Sequence, residues 1–90
     1  MHLILYSKPG CHLCEGLQEK LEQVKQFPIT LEIRDITTQA DWFQAFEYEI
    51  PVVFWVAQSD LIRLPRLSPR ASVQQLEQML QKIVLENKAE

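Results

Sequence analysis

Ninety residues with a net charge of −3 set narrow limits: a single domain spanning residues 1–90 with one modest core, and no basic excess of the kind a nucleic-acid reader carries. No apolar run approaches the roughly 20 residues of a membrane span, and the first residues show no basic region leading into a long apolar segment, so neither a membrane anchor nor a signal peptide is expected. Two cysteines are too few for a secreted disulfide scaffold, which places the chain in a reducing cytoplasm, where a close cysteine pair is catalytic or metal-binding more often than structural.

In chain order, Leu3 to Tyr6 reads as a short buried strand, stopped by Ser7-Lys8-Pro9-Gly10, with Pro9 and Gly10 punctuating a turn. Leu13, Leu17, Leu21 and Val24 then recur at helical spacing, opposite a polar face of Glu15, Gln18, Glu19, Glu22, Gln23 and Gln26. Phe27-Pro28 is expected to end that helix, because a residue before proline avoids the helical region. Ile29 to Ile36 alternates apolar and polar residues with period two, a half-buried strand. Strand, helix, strand makes a βαβ unit with parallel strands.

Thr38 followed by Asp41 suggests a capped start to a short second helix, whose apolar surface comes from Trp42, Phe43, Ala45 and Phe46. The adjacent aromatics Trp42 and Phe43 cannot share one core position. Val52 to Ala57 is a strong strand run, Gln58-Ser59-Asp60 a hairpin turn, and Leu61 to Leu64 an antiparallel partner strand. Ser72 with Gln75 three residues later forms a capping box. It opens a last helix with the apolar stripe Val73, Leu76, Leu80, Ile83 and Val84, and fraying is expected from Asn87 to Glu90. The expected class is α/β, a four-stranded mixed sheet with elements in the order β-α-β-α-β-β-α.

Both cysteines fall where the first strand meets the first helix, as Cys11-His12-Leu13-Cys14. Side chains three apart at a helix start lie on one side, with about 5–6 Å between Cβ atoms, close to the spacing a disulfide accepts. The pair can close and open with little movement of the fold. Cys11 is expected at the helix N-terminus, where unpaired N–H groups favour an anion, and so is the attacking thiolate. Cys14, one turn further in, is the buried resolving thiol. Lys8 adds positive charge near Cys11 and Glu15 opposes it, while His12 reads as an exposed spacer. A CxxC within a βαβ unit points to a thioredoxin-like fold.

Tyr6-Ser7-Lys8-Pro9-Gly10-Cys11-His12-Leu13-Cys14, with Ile50-Pro51-Val52-Val53 much later, resembles the glutaredoxin family, and more narrowly the short bacterial glutaredoxin-like proteins. The resemblance implies a thiol-disulfide oxidoreductase with Cys11 as nucleophile, Cys14 as resolving residue and a cis peptide before Pro51. It also implies Lys8 as charge partner for the thiolate or glutathione, and backbone groups at Ile50 that pair with an extended thiol substrate. Ser72 offers a helix-end contact to an anion, and Arg66 or Arg70 a carboxylate contact. No tightly bound cofactor is implied, and glutathione is the candidate reductant. The expected partner is a disulfide-containing protein or small thiol, not a nucleic acid or a membrane, and the expected state is a monomer.

The chain departs from typical dithiol members in two places. These carry proline and an aromatic residue between the cysteines, where this chain has His12 and Leu13. They also carry a Gly-Gly pair after the last strand, where this chain reads Leu64-Pro65-Arg66-Leu67-Ser68-Pro69-Arg70. The second departure predicts weak or absent glutathione-coupled turnover. Two other readings compete: an iron–sulfur cluster bridging two chains through cysteine thiolates, and a non-catalytic interaction module that keeps the fold. Zinc would need four ligands, and only His2 and His12 are added to the cysteines. Arg63, Arg66 and Arg70 read either as a solvated loop or as a small anion or partner-docking patch.

Overall fold

The computed structural model describes residues 1–88. Its first strand, β1 (His2–Ser7), is an apolar run whose side chains alternate between two separate cores. The other elements are α1 (His12–Glu22), β2 (Thr30–Asp35), a 3-10 turn (Ile36–Thr38), α2 (Ala40–Phe46), β3 (Val52–Ala57), β4 (Asp60–Arg63) and α3 (Val73–Lys88). The four strands form one sheet in the order β2-β1-β3-β4. β2 lies parallel to β1 with Leu5 opposite Ile33, and β3 lies antiparallel on the other edge with Tyr6 opposite Val52. β4 returns antiparallel beside β3. The βαβ unit, the hairpin and the order of elements are as the sequence implies, and the fold is thioredoxin-like.

Period-two alternation assigns the cores. Leu3, Leu5 and Val53 face α1 and α3, where they pack with Leu21, Val24, Leu76, Leu80 and Ile83. Ile4, Tyr6 and Val52 face the opposite side, packing with Ile36 and, from α2, Trp42, Phe43 and Phe46. Leu3 and Leu5 are wholly buried, and burying one such side chain contributes about 1.5–3 kcal/mol. Trp42 and Phe43 share the smaller core by each remaining half-buried. Ala45, read as apolar helix surface, is exposed.

Several boundaries differ from the sequence reading. α1 stops at Glu22, well before Phe27-Pro28. The backbone tightens there, with the N–H of Val24 donating to the Leu21 carbonyl, and the next N–H groups of Lys25 and Gln26 donate to the Glu77 carboxylate of α3. A side chain 52 residues away thus takes the donors that a longer helix would have used. Thr38 does not cap α2. Its hydroxyl donates to the Asp35 carbonyl, and Asp35 caps the 3-10 turn through the Thr37 N–H, so α2 begins after Gln39 without a side-chain cap. β2 and β4 are each shifted or trimmed by a residue. Ile33, on the edge strand, is 41% exposed rather than buried.

The capping box on α3 forms as read: Ser72 N–H donates to Gln75 Oε1 at 2.8 Å, and Gln75 N–H donates to Ser72 Oγ at 3.1 Å. Asn87 does not fray; its side-chain amide donates to the Ile83 carbonyl and closes the last turn. Ala89 and Glu90, the rest of that expectation, lie outside the described residues. Among the described residues, no helix is long and apolar enough to cross a membrane.

Edge strand β2 is tied to the aromatic core by Arg34. Its guanidinium stacks over Trp42 at 5.2 Å, donates to the Tyr6 hydroxyl at 3.0 Å and pairs with Glu32. Hydrogen bonding from Arg34 holds the Glu32 carboxyl below its ordinary range. A carboxylate depressed in the folded state contributes stability above its unfolded value of about 4.3, and that contribution is lost as pH falls through the lower folded value. Glu32→Gln is therefore expected to lower the denaturation midpoint at pH 7, and to lower it less at an acidic pH below the ordinary carboxylate range. Urea titration at the two pH values measures both.

Candidate functional site

The site begins with how β1 ends. The N–H of Cys11 donates to the Lys8 carbonyl at 3.2 Å, closing a turn over Pro9 and Gly10. Gly10 has φ +82°. Proline second and a left-handed glycine third define a type II turn, so Pro9-Gly10 determines how the chain leaves the sheet. The turn delivers Cys11 to the N-cap of α1 with extended backbone. The Cys11 Sγ accepts the N–H of Cys14 at 3.2 Å, and the Cys11 carbonyl accepts the N–H of Glu15 at 3.0 Å.

Cys11 and Cys14 are joined as a disulfide with their Cα atoms 5.3 Å apart. Their environments differ as the sequence reading expected. Cys11 is partly exposed, whereas Cys14 is buried at 2% exposure. His12 is an exposed spacer, its Nδ1 lying 3.8 Å from the Glu15 carboxylate. Leu13 is also exposed. Lys8 is exposed on the same turn. In the reduced protein this geometry gives Cys11 a backbone donor and the positive end of a helix, both of which favour the thiolate.

The second element arrives through the sheet. Because β3 is antiparallel to β1 with Val52 opposite Tyr6, Pro51 and Ile50 lie at the end of the sheet from which the cysteine loop departs. The Ile50–Pro51 peptide is cis. The Ile50 N–H donates to the Phe46 carbonyl at 3.2 Å, so one of the two Ile50 backbone groups expected to meet a substrate is already engaged.

His12, Leu13 and Pro51 line one mouth of a groove of about 260 Å³ between α1 and the segment joining β4 to α3. Its walls include Gly16 and Leu17 of α1, Pro65 and Leu67 of the connecting segment, and Met79 of α3. Sequence reasoning missed this groove, since its walls come from three distant stretches. Ser72 is not among its lining residues; its hydroxyl is spent on capping α3. The arginine cluster is also resolved. Arg63 pairs with the Glu49 carboxylate at 2.6 Å, and Arg66 donates to the Glu49 carbonyl at 3.1 Å, both at the groove rim. Arg70 does not line the groove. Among the described residues, no three or more His, Cys, Asp or Glu side chains converge on a position that holds a metal ion.

Comparison with known proteins agrees with this geometry. The family model described as Glutaredoxin-like domain (DUF836) matches residues 2–81. Among solved structures, thioredoxin 1 from the thermophilic eubacterium Thermosipho africanus TCF52B is similar over 98% of this chain and 99% of its own, with a TM-score of 0.65 and 16% identity. That likeness concerns the fold. No curated protein matches the chain in sequence.

A methyl group at Gly10 would meet no atom within 4 Å, so the left-handed φ alone requires glycine there. Gly10→Ala is expected to cost roughly 1–2 kcal/mol, the penalty of a side chain in the left-handed region; chemical denaturation reads it. The chain belongs to the glutaredoxin-like family.

Proposed function

We propose that this glutaredoxin-like domain is a thiol-disulfide oxidoreductase working through Cys11 and Cys14. The observation that carries the reading is the asymmetry at the start of α1: a partly exposed N-cap sulfur that receives a backbone N–H, bonded to a sulfur buried at 2% exposure. A thiolate at Cys11 attacks one sulfur of a substrate disulfide, forming a mixed disulfide and releasing the other sulfur as a thiolate. Cys14, deprotonated as it reacts, then attacks Cys11 Sγ. The Cys11–Cys14 disulfide closes, and the second substrate sulfur leaves. Two electrons pass to the substrate, and the two thiolates released take up the two protons lost by the cysteines.

Return to the dithiol needs an external thiol, for which glutathione is the candidate. In this reading Lys8 supplies charge beside Cys11, Pro51 walls the substrate side, and the Ile50 carbonyl accepts from an extended substrate backbone. The protein acts in the cytoplasm as a monomer on disulfide-containing proteins or small thiols. Its cysteine usage supports the compartment.

Two measurements test the reading. In the reduced protein, Cys11 is expected to titrate below about 8, against about 8.5 for a free cysteine, as followed by alkylation rate against pH; a value at or above the free one would falsify the activated nucleophile. Cys14→Ser is expected to accumulate mixed disulfides with target proteins, and the additional change Cys11→Ser to abolish them. A Cys14→Ser protein that captures nothing points instead to a non-catalytic module.

A further inference from the structure

Gly16 sits inside α1, where glycine is less favourable than alanine by roughly 0.5–1 kcal/mol. Neither of the usual reasons for accepting that penalty applies. Gly10 alone among the glycines has a positive φ, and a Cβ built on Gly16 meets nothing within 4 Å. Gly16 also lines the groove that starts at His12 and Leu13. Gly16 is four residues from His12 and from Lys20 on one ridge of the helix, and all three line the groove.

The groove has a definite chemical character. Its lining is largely apolar, from Leu17, Leu67 and Met79 among others. Its rim carries Lys20, Arg63 and Arg66 against the single carboxylate of Glu49. Lys20 Nζ and Arg66 donate to neutral backbone carbonyls of Pro69 and Glu49, so their charges stay uncompensated. A largely apolar lining with a net positive rim, continuous with the exposed middle of the cysteine motif, complements an extended peptide with an apolar side chain next to its reactive cysteine and an acidic residue beyond. Glutathione brings no apolar side chain to that lining.

We propose that Gly16 is a specificity-determining residue: its missing side chain keeps the groove deep enough to seat the apolar residue beside the cysteine of an acidic polypeptide substrate. This rests on the dithiol reading above. The bond changes are those already given, and the groove adds only positioning of the substrate cysteine against Cys11.

The test is single-turnover oxidation of the reduced protein by three homodisulfides of short synthetic peptides. The first has leucine beside its cysteine and glutamate beyond; the second replaces leucine by serine; the third replaces glutamate by lysine. The native protein is expected to favour the first over the second by about tenfold, the scale of one apolar contact in a pocket. It should also favour the first over the third several-fold at low salt, with that preference fading as salt screens the rim. Gly16→Ala is expected to reduce the leucine-over-serine ratio at least fivefold, to leave the glutamate-over-lysine ratio unchanged, and to raise the thermal midpoint. A leucine-over-serine ratio near one in the native protein, or a ratio that Gly16→Ala does not move, overturns the assignment and leaves the redox reading standing. If none of the three disulfides oxidises the protein, the redox reading itself falls, and the assignment with it.

Discussion

The structure depends on β1 being buried on both faces at once. Leu3 and Leu5 fill one core and Ile4 and Tyr6 the other, so a register slip of one residue would exchange the two sets and leave neither core filled. That constraint places β1 inside the sheet, with β2 and β3 on its flanks. A central strand must leave the sheet at its end rather than its side, and the type II turn at Pro9-Gly10 is where it does so. The position of Cys11 therefore follows from the packing of the strand that precedes it.

The inequality of the two cysteines needs no unusual chemistry. One turn of helix separates them. The first stands outside the helix as its cap, and the second is carried by the helix rotation toward the interior. The N–H of Cys14 donates to the sulfur of Cys11, so the buried residue helps to stabilise an anion on its partner. Glu15, also in the first turn, opposes that anion, yet it lies on the solvent side near His12, where water screens it more than it screens the backbone donor.

What was legible in the sequence was what local rules decide. The strand runs, the α3 capping box and the depth difference between Cys11 and Cys14 depend on residues a few positions apart, and the strand directions follow from the length of each connection. Most of the readings that failed were settled at a distance. α1 ends early because Glu77 of another helix satisfies the Lys25 and Gln26 N–H groups. Thr38 was read as a cap because Asp41 follows it, but the carbonyl of Asp35 was an equally local and better-placed partner. Ile33 alternates correctly yet lies on an edge strand, where the half-buried pattern has less to pack against. The arginines late in the chain read either as a solvated loop or as a small patch. Glu49, which divides them, precedes β3 and is brought beside them only by the hairpin.

This division between local and distant determinants extends to function. The cysteine pair is encoded within four residues, and the turn before it sets where the pair stands. The groove beside it is assembled from α1, the start of β3, the segment before α3 and α3 itself. This chain places Pro65, Leu67 and Pro69 along one side of the groove, while its mid-helix glycine lines the α1 side. On the proposed reading, opening one wall and lining the other with apolar side chains alters which substrate fits, while the backbone donor to Cys11 stays in place. On that reading, the choice of partner is therefore a question about residues 16 and 63–69, and the reaction a question about residues 8–14.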